Sequence, residues 1–302
     1  MLAEQGFSVT THAKCIIAGE HTVLRGHPAL VFPVNTHLFQ LDYQPASNKP
    51  ACADFDAPYG ENLLIFLWKM LAISLQMLNK DLGDIQGQFF LKNTIPMGCG
   101  LGFSAALCTA IAQWLIWQGW LDKQDLFNFA RTLEDNFHGK SSGVDIAGAL
   151  TNMGVLYSTE HGIENITVNW KPLLYLSSSE HYCSTEKCIR QVEKLHAENK
   201  YLAELLDNEM ADSVLLAKQA LILDADQGFS YLAEAINKAN SCFKKWGLIT
   251  PLLTEHINSL YSAGAVAVKP TGSGGGGYVL SLWRTPPLDT PFIKHLKPLF
   301  YN

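Results

Sequence analysis

The chain has 302 residues, 48% of them hydrophobic and 17% charged, with a net charge of −6. That balance belongs to a folded chain long enough for two domains, not to a disordered one. No Lys/Arg block stands out, which argues against a nucleic-acid partner; an anionic ligand would need local help from a helix end, a lysine or a metal.

The opening MLAEQGFSVTTHAK has no basic run followed by an apolar core, so no signal peptide is expected. The longest apolar stretches, 63–78 and 105–120, are interrupted by polar residues and read as buried helices, with no membrane partner expected. Seven cysteines without paired spacing fit a reducing, cytoplasmic setting. The lack of CxxC and HExxH patterns argues against zinc.

In chain order, residues 7–18, 28–34 and 36–43 are β-prone, and 61–79 carries helical apolar spacing at Leu64, Leu67, Trp68, Leu71, Leu75 and Leu78. Gln86–Asn93 reads as a strand leading into a glycine-rich turn. Ser104–Trp120 reads as an apolar, central helix, and Asp122 as the start of a helix to about His138. Strands are expected within 153–177 and helices at 184–199, 201–223, 228–246 and 250–262. Ala263–Lys269 and Tyr278–Trp283 read as strands flanking a second glycine turn, and 289–300 as a last helix. Strands and helices mix in both halves without a βαβ rhythm, which predicts an α+β fold of two domains.

The first glycine turn reads Pro96-Met97-Gly98-Cys99-Gly100-Leu101-Gly102-Phe103-Ser104-Ala105-Ala106 and runs into an apolar helix. Converging N–H groups and a helix N-terminus suit a phosphate. The second, Thr271–Gly277, is costly in entropy unless its backbone must approach something closely. With one turn in each half, a cleft between domains could hold one ligand from both sides. His138-Gly139-Lys140-Ser141 contains the GKS of a Walker A loop, but Glu134 stands where that loop needs glycine. Gly100–Ala105 fits a loose dinucleotide fingerprint, but Asp122, at the spacing of the required acid, opens a helix.

Glu134 and His138 share a helix face. On one continuous helix Asp145 would lie about 16 Å from Glu134; Gly139, Ser141-Ser142 and Gly143 can turn the chain, with Ser142 as a new N-cap, and let the two carboxylates converge. Read alone, Asp145 is as readily a surface residue, Ser104 an N-cap, and Lys14 an edge or snorkelling lysine. Glu20 and His21 are turn residues or receivers of a hydroxylated substrate.

Together and in this order, these pieces resemble the GHMP kinase superfamily, most closely its mevalonate kinases. Ala13–Leu30 is similar to GKxxxxGEHxVxxGxPAL, Pro96–Ala106 to PxGxGLGSSAA, Glu134–Asp145 to E-x3-HG-x2-SG-x-D, and Thr271–Gly277 to TGAGGGG. The resemblance spans 13–277. It implies a two-domain α+β GHMP kinase fold: a ribosomal protein S5 domain 2-like, ATP-binding domain over 1–165 and a ferredoxin-like domain over 166–302. It also implies ATP and Mg2+ as cofactors and a small alcohol, mevalonate, as acceptor. Homodimerisation is left open. By motif match, Asp145 takes the substrate hydroxyl proton and Lys14 polarises that hydroxyl. Ser104 and Glu134 hold magnesium, and Pro96–Ala106 with Gly274 and Gly275 cradle the nucleotide. Glu20, His21, His138 and Ser142 lie toward the acceptor.

The chain departs from the pattern at Phe103, where the phosphate loop usually has its first serine, and at Lys140-Ser141, where proline is usual. The first departure predicts altered nucleotide affinity without loss of chemistry. Val23 stands where galactokinases carry an acid, His21 differs from the GEY of phosphomevalonate kinases, and diphosphomevalonate decarboxylases lack the GEH element. A ligand-sensing homologue without catalysis would not need Lys14, Ser104, Glu134 and Asp145 together.

Overall fold

The structure is a computed structural model that describes residues 6–58, 60–181, 183–287 and 296–300. The fold is α+β, as expected, and divides into two compact units. The first takes in the described residues of 1–13, 37–95 and 102–150; the second those of 14–36, 96–101 and 151–302. Two long strands, β1 (Phe7–Ala18) and β2 (Ala29–Pro50), contribute residues to both.

In the first unit β2 pairs antiparallel with β4 (Gln86–Asn93), Phe39 opposite Asn93 and Tyr43 opposite Phe89. A short strand, β3 (Cys52–Asp56), adds in parallel on the other side of β4. The alternation along β4 turns Phe89 and Leu91 inward, where Phe89 meets Trp114 with ring centroids 5.1 Å apart. Trp114 belongs to α2 (Phe103–Trp117), which is buried along nearly its whole length and is therefore central. Around it pack α1 (Gly60–Met77), α3 (Leu126–His138) and α4 (Val144–Leu150).

In the second unit residues 29–31 of β2 pair with β5 (Val155–Ser158), which pairs with β6 (Gly162–Asn165). A separate antiparallel sheet runs in the order β10 (Lys297–Pro298), β7 (Leu173–Ser178), β9 (Tyr278–Trp283), β8 (Ala267–Pro270). Four helices follow β7: α5 (Thr185–Glu198), α6 (Lys200–Ile222), α7 (Ala225–Lys245) and α8 (Pro251–Ser262). Asp224 caps α7, and Thr250 caps α8 with Pro251 in its first turn. Both helices pack on β8, and Leu253, Ile257 and Leu260 join Val268, Val279 and Trp283 in one apolar core. Among the described residues no helix is long and apolar enough to cross a membrane.

Three details differ from the sequence reading. The β-prone segments 28–34 and 36–43 read as two strands, yet β2 runs through Asn35 as one. Cys52–Asp56, given no element in the sequence reading, pairs along β4. Of the helix expected over 289–300, residues 289–295 lie outside the described residues, and Lys297–Pro298 are strand.

One glycine tests the packing of α6 on α7. Gly228 lies inside α7, where alanine would normally gain about 1 kcal/mol of helix propensity. A Cβ there would sit 2.4 Å from the Ala220 carbonyl oxygen and 2.6 Å from Nε1 of Trp170, which itself donates to that carbonyl. Gly228→Ala is therefore expected to destabilise, by about 1–3 kcal/mol, seen as a lower urea midpoint.

Candidate active site

In the first unit the candidate site residues cluster where α2, α3 and α4 meet. Helix α2 begins after Gly102, whose left-handed backbone (φ 79°) and lack of a side chain leave the helix without a side-chain cap. The helix dipole favours an anion at this end. Ser104, in that first turn, is 8% exposed, and its hydroxyl donates to Oε1 of Glu134 on α3 at 3.2 Å. Glu134 is 1% exposed, and its Oε2 accepts from the Ser141 hydroxyl at 2.6 Å. Ser141 also donates its N–H to Asp135, at 2.6 Å.

The turn between α3 and α4 forms as its glycines demand. Gly139 ends α3 with φ 83°, Gly143 has φ 89°, and the Ser142 hydroxyl accepts from the N–H of Val144 at 3.3 Å. Asp145 then lies half-buried in the first turn of α4. The side chain of His138 lies outside the described residues. Phe103 does not project into the loop: its ring is 6% exposed and packs edge-on against Phe39 and Phe66, with centroids at 6.2 and 5.9 Å.

In the second unit the two glycine turns, expected one in each half, meet directly. Residues 96–101 belong here, and Gly98, Cys99 and Gly100 line a narrow cleft with Thr271, Ser273 and Gly274. The N–H of Tyr278 donates to the Cys99 carbonyl at 3.3 Å, and a Cβ on Gly277 would lie 2.7 Å from that oxygen. Such backbone-on-backbone contact is why side chains are missing at these positions. Pro96 and Met97 are half-buried at the start of this loop, and Gly275 donates its N–H to Leu248. Lys14, 1% exposed on β1, donates its backbone N–H to Leu101 at 2.9 Å.

The Gly19-Glu20-His21 turn is fastened to the second glycine turn. His21 has φ 62° and bonds the Ser273 carbonyl through Nε2 at 2.9 Å. Its ring stands edge-on to Trp246 and Phe243, with centroids at 5.3 and 6.1 Å. The Thr271 hydroxyl accepts from the N–H of Ile16 at 3.0 Å. Glu20, 2% exposed, bonds Nζ of Lys269 at 2.5 Å. Arg25, just beyond the turn, forms a bidentate pair with Asp207 on α6, both contacts at 2.5 Å.

Sequence reasoning missed Lys269 and Ser141. Lys269 carries the signal that drew attention to Lys14, a lysine inside an apolar β-prone run, here directly before a glycine turn. In the sequence Ser141 stands out only as part of the turn and as a departure from the motif. Among the described residues no cluster of three or more His, Cys, Asp or Glu is suited to hold a metal. Ser104 and Glu134 offer one hydroxyl and one carboxylate, hard oxygen donors that suit a magnesium ion taking its remaining ligands from phosphate and water.

Burial lowers the His21 imidazole from 6.5 to about 4, so the ring is neutral near pH 7. The unfolded chain takes up its proton first. Stability from His21 is therefore present above about pH 6.5 and is lost as pH falls toward 4. Between pH 7 and pH 5 the wild type is expected to lose ~2 kcal/mol more than His21→Asn, measured as the difference in urea unfolding free energy.

Residues 66–152 match the family described as GHMP kinases N terminal domain. The chain is 26% identical over 298 residues to a mevalonate kinase of Pyrococcus abyssi, covering 89% of this chain and 86% of that protein. It is likewise 26% identical over 276 residues to a mevalonate kinase of Archaeoglobus fulgidus, covering 90% of each. In fold it is similar to the L. major mevalonate kinase solved with R-mevalonate, with a TM-score of 0.79 at 20% identity over 98% of this chain and 96% of that one. Lactococcus lactis galactokinase aligns with a TM-score of 0.71 at 12% identity, over 93% and 86%. In its matched segment, its relatives and its fold, the chain is similar to the GHMP kinases.

Proposed function

We propose that this chain transfers the γ-phosphoryl group of ATP to the alcohol of a small hydroxy acid, converting mevalonate to 5-phosphomevalonate. The observation that carries the reading is the Ser104–Glu134 pair beside the uncapped start of α2, in a chain whose relatives are named mevalonate kinases. Phosphoryl transfer asks a protein mainly for positioning and charge neutralisation, and this arrangement is built for both.

In this reading the loop Gly98–Ala106 and the turn at Gly274-Gly275 receive the phosphates through their backbone N–H groups. Ser104 and Glu134 hold Mg2+, which when bound spreads the negative charge of the phosphates. Ser141 keeps the Glu134 carboxylate turned for that task. Asp145 accepts the proton of the acceptor hydroxyl, and Lys14 supplies positive charge to the hydroxyl and the transferred group. Glu20, Ser142 and His138 belong to the acceptor side. His21 acts chiefly through the turn it holds, because its Nε2 is committed to Ser273. The division into an ATP-binding domain over 1–165 and a C-terminal domain over 166–302 is part of the same proposal. So is a cytoplasmic setting, which the seven free thiols support.

Val23, 2% exposed and apolar where a sugar kinase carries an acid, supports the hydroxy acid over a sugar. The deciding experiment is an acceptor panel with ADP release as readout. Turnover on mevalonate supports the reading, and turnover on galactose or phosphomevalonate instead overturns it. Asp145→Asn is expected to lower kcat at least about 100-fold with an unchanged circular dichroism spectrum. Ser104→Ala is expected to raise the Mg2+ concentration for half-maximal rate; an unshifted titration removes Ser104 from the metal site.

A further inference from the structure

Lys269 and Glu20 form an ion pair in the interior of the second unit. The lysine is 0% exposed and the carboxylate 2% exposed, with Nζ to Oε1 at 2.5 Å. The ammonium also donates to the Ile16 carbonyl at 3.1 Å and stands 5.4 Å from the centre of the Phe243 ring. Removing two such charges from water costs several kcal/mol per ion, and apolar residues of similar volume would serve stability as well. The pair is also incomplete: Oε2 of Glu20 is buried and has no hydrogen-bond partner. Nearly all buried polar atoms in folded proteins have a partner, so an open carboxylate oxygen asks for a donor from outside the chain.

We propose that Lys269 is a positioning residue, which commits Oε1 of Glu20 to its ammonium and leaves Oε2 to accept a hydrogen bond from a hydroxyl of the acceptor. The proposal rests on the alcohol-kinase reading of this site. Four titratable groups face Glu20: Lys269 on β8, Lys14 and Cys15 on β1, and Cys242 on α7. Burial pushes the two thiols up, to about 11 for Cys15 and about 12 for Cys242, so neither competes as an anion near neutral pH. Burial also pushes the Glu20 carboxyl upward. The Lys269 charge and hydrogen bond oppose it most strongly, and Lys14 contributes least.

The test uses the full chain with Lys269→Met, Lys269→Arg and the double variant Lys269→Met/Glu20→Gln. Infrared spectra without substrate are expected to show a protonated carboxylic acid in Lys269→Met at pH 7 that is missing from the double variant. In kinetics, Lys269→Met is expected to raise KM for the acceptor about tenfold or more while KM for ATP stays within about twofold. Its kcat/KM for the acceptor should climb with pH as Glu20 re-ionises, a limb missing from the wild type and the double variant. Lys269→Arg should restore most of the acceptor KM. An unchanged acceptor KM overturns the proposal. So does an equal rise for both substrates with a flat pH profile, the mark of a merely structural residue, and so does a missing carboxylic-acid band. A wild type that phosphorylates no alcohol overturns the functional reading itself; an active wild type with an indifferent Lys269→Met overturns this proposal alone.

Discussion

The second unit hangs on one constraint: two glycine turns far apart in sequence must press backbone against backbone. Gly277 lies on Cys99, and Gly272 lies on Gly100, where a Cβ would come within 3.1 Å of the facing chain. Once that contact is fixed, its neighbours follow. The Thr271 hydroxyl ties the turn to β1 at Ile16, His21 ties it to the GEH turn through Ser273, and Lys269 arrives beside Glu20. The motifs at the start and end of the chain are thus two sides of one structure. Helices α7 and α8 supply the apolar backing that keeps β8, and with it Lys269, in place.

The first unit solves a different problem, that of holding a carboxylate almost wholly out of water with both of its oxygens hydrogen-bonded. Glu134 accepts one hydroxyl on each oxygen, from Ser104 on its left-handed-glycine-led helix and from Ser141 in the following turn. Phe103 belongs to this arrangement as an anchor. Its ring fills space between Phe39 and Phe66, and so pins the first turn of α2 to the aromatic core instead of crowding the loop.

Much of this was legible in the sequence. Gln86–Asn93 falls on the strand its alternation predicts, Tyr278–Trp283 on the strand expected beside the second glycine turn, and Gly139 and Gly143 stop and restart the helix as glycines do. Residues 52–56 carry no strand signal of their own: their acids are exposed, and pairing with the neighbouring strand makes them β. Partnerships were the harder part. Nothing in local pattern tells Lys269 to find Glu20 nearly 250 positions away, or makes His21 choose the Ser273 carbonyl. Those pairings are products of the glycine contact, a tertiary fact. The motif resemblance located the Ser104–Glu134 pair, but its second hydroxyl came from Ser141, a position where the family pattern differs.

That difference has a consequence for protein engineering. Replacing Ser141 by proline, as in the motif this segment resembles, is the kind of change often made to stabilise a turn. It typically gains about 0.4–1 kcal/mol by restricting the unfolded chain. Here it would delete the N–H bonded to Asp135 and the hydroxyl bonded to Glu134, each worth about 1–3 kcal/mol when one partner is an ionised carboxylate. Such a change would run against this chain at Ser141, whose N–H and hydroxyl each hold a neighbouring carboxylate.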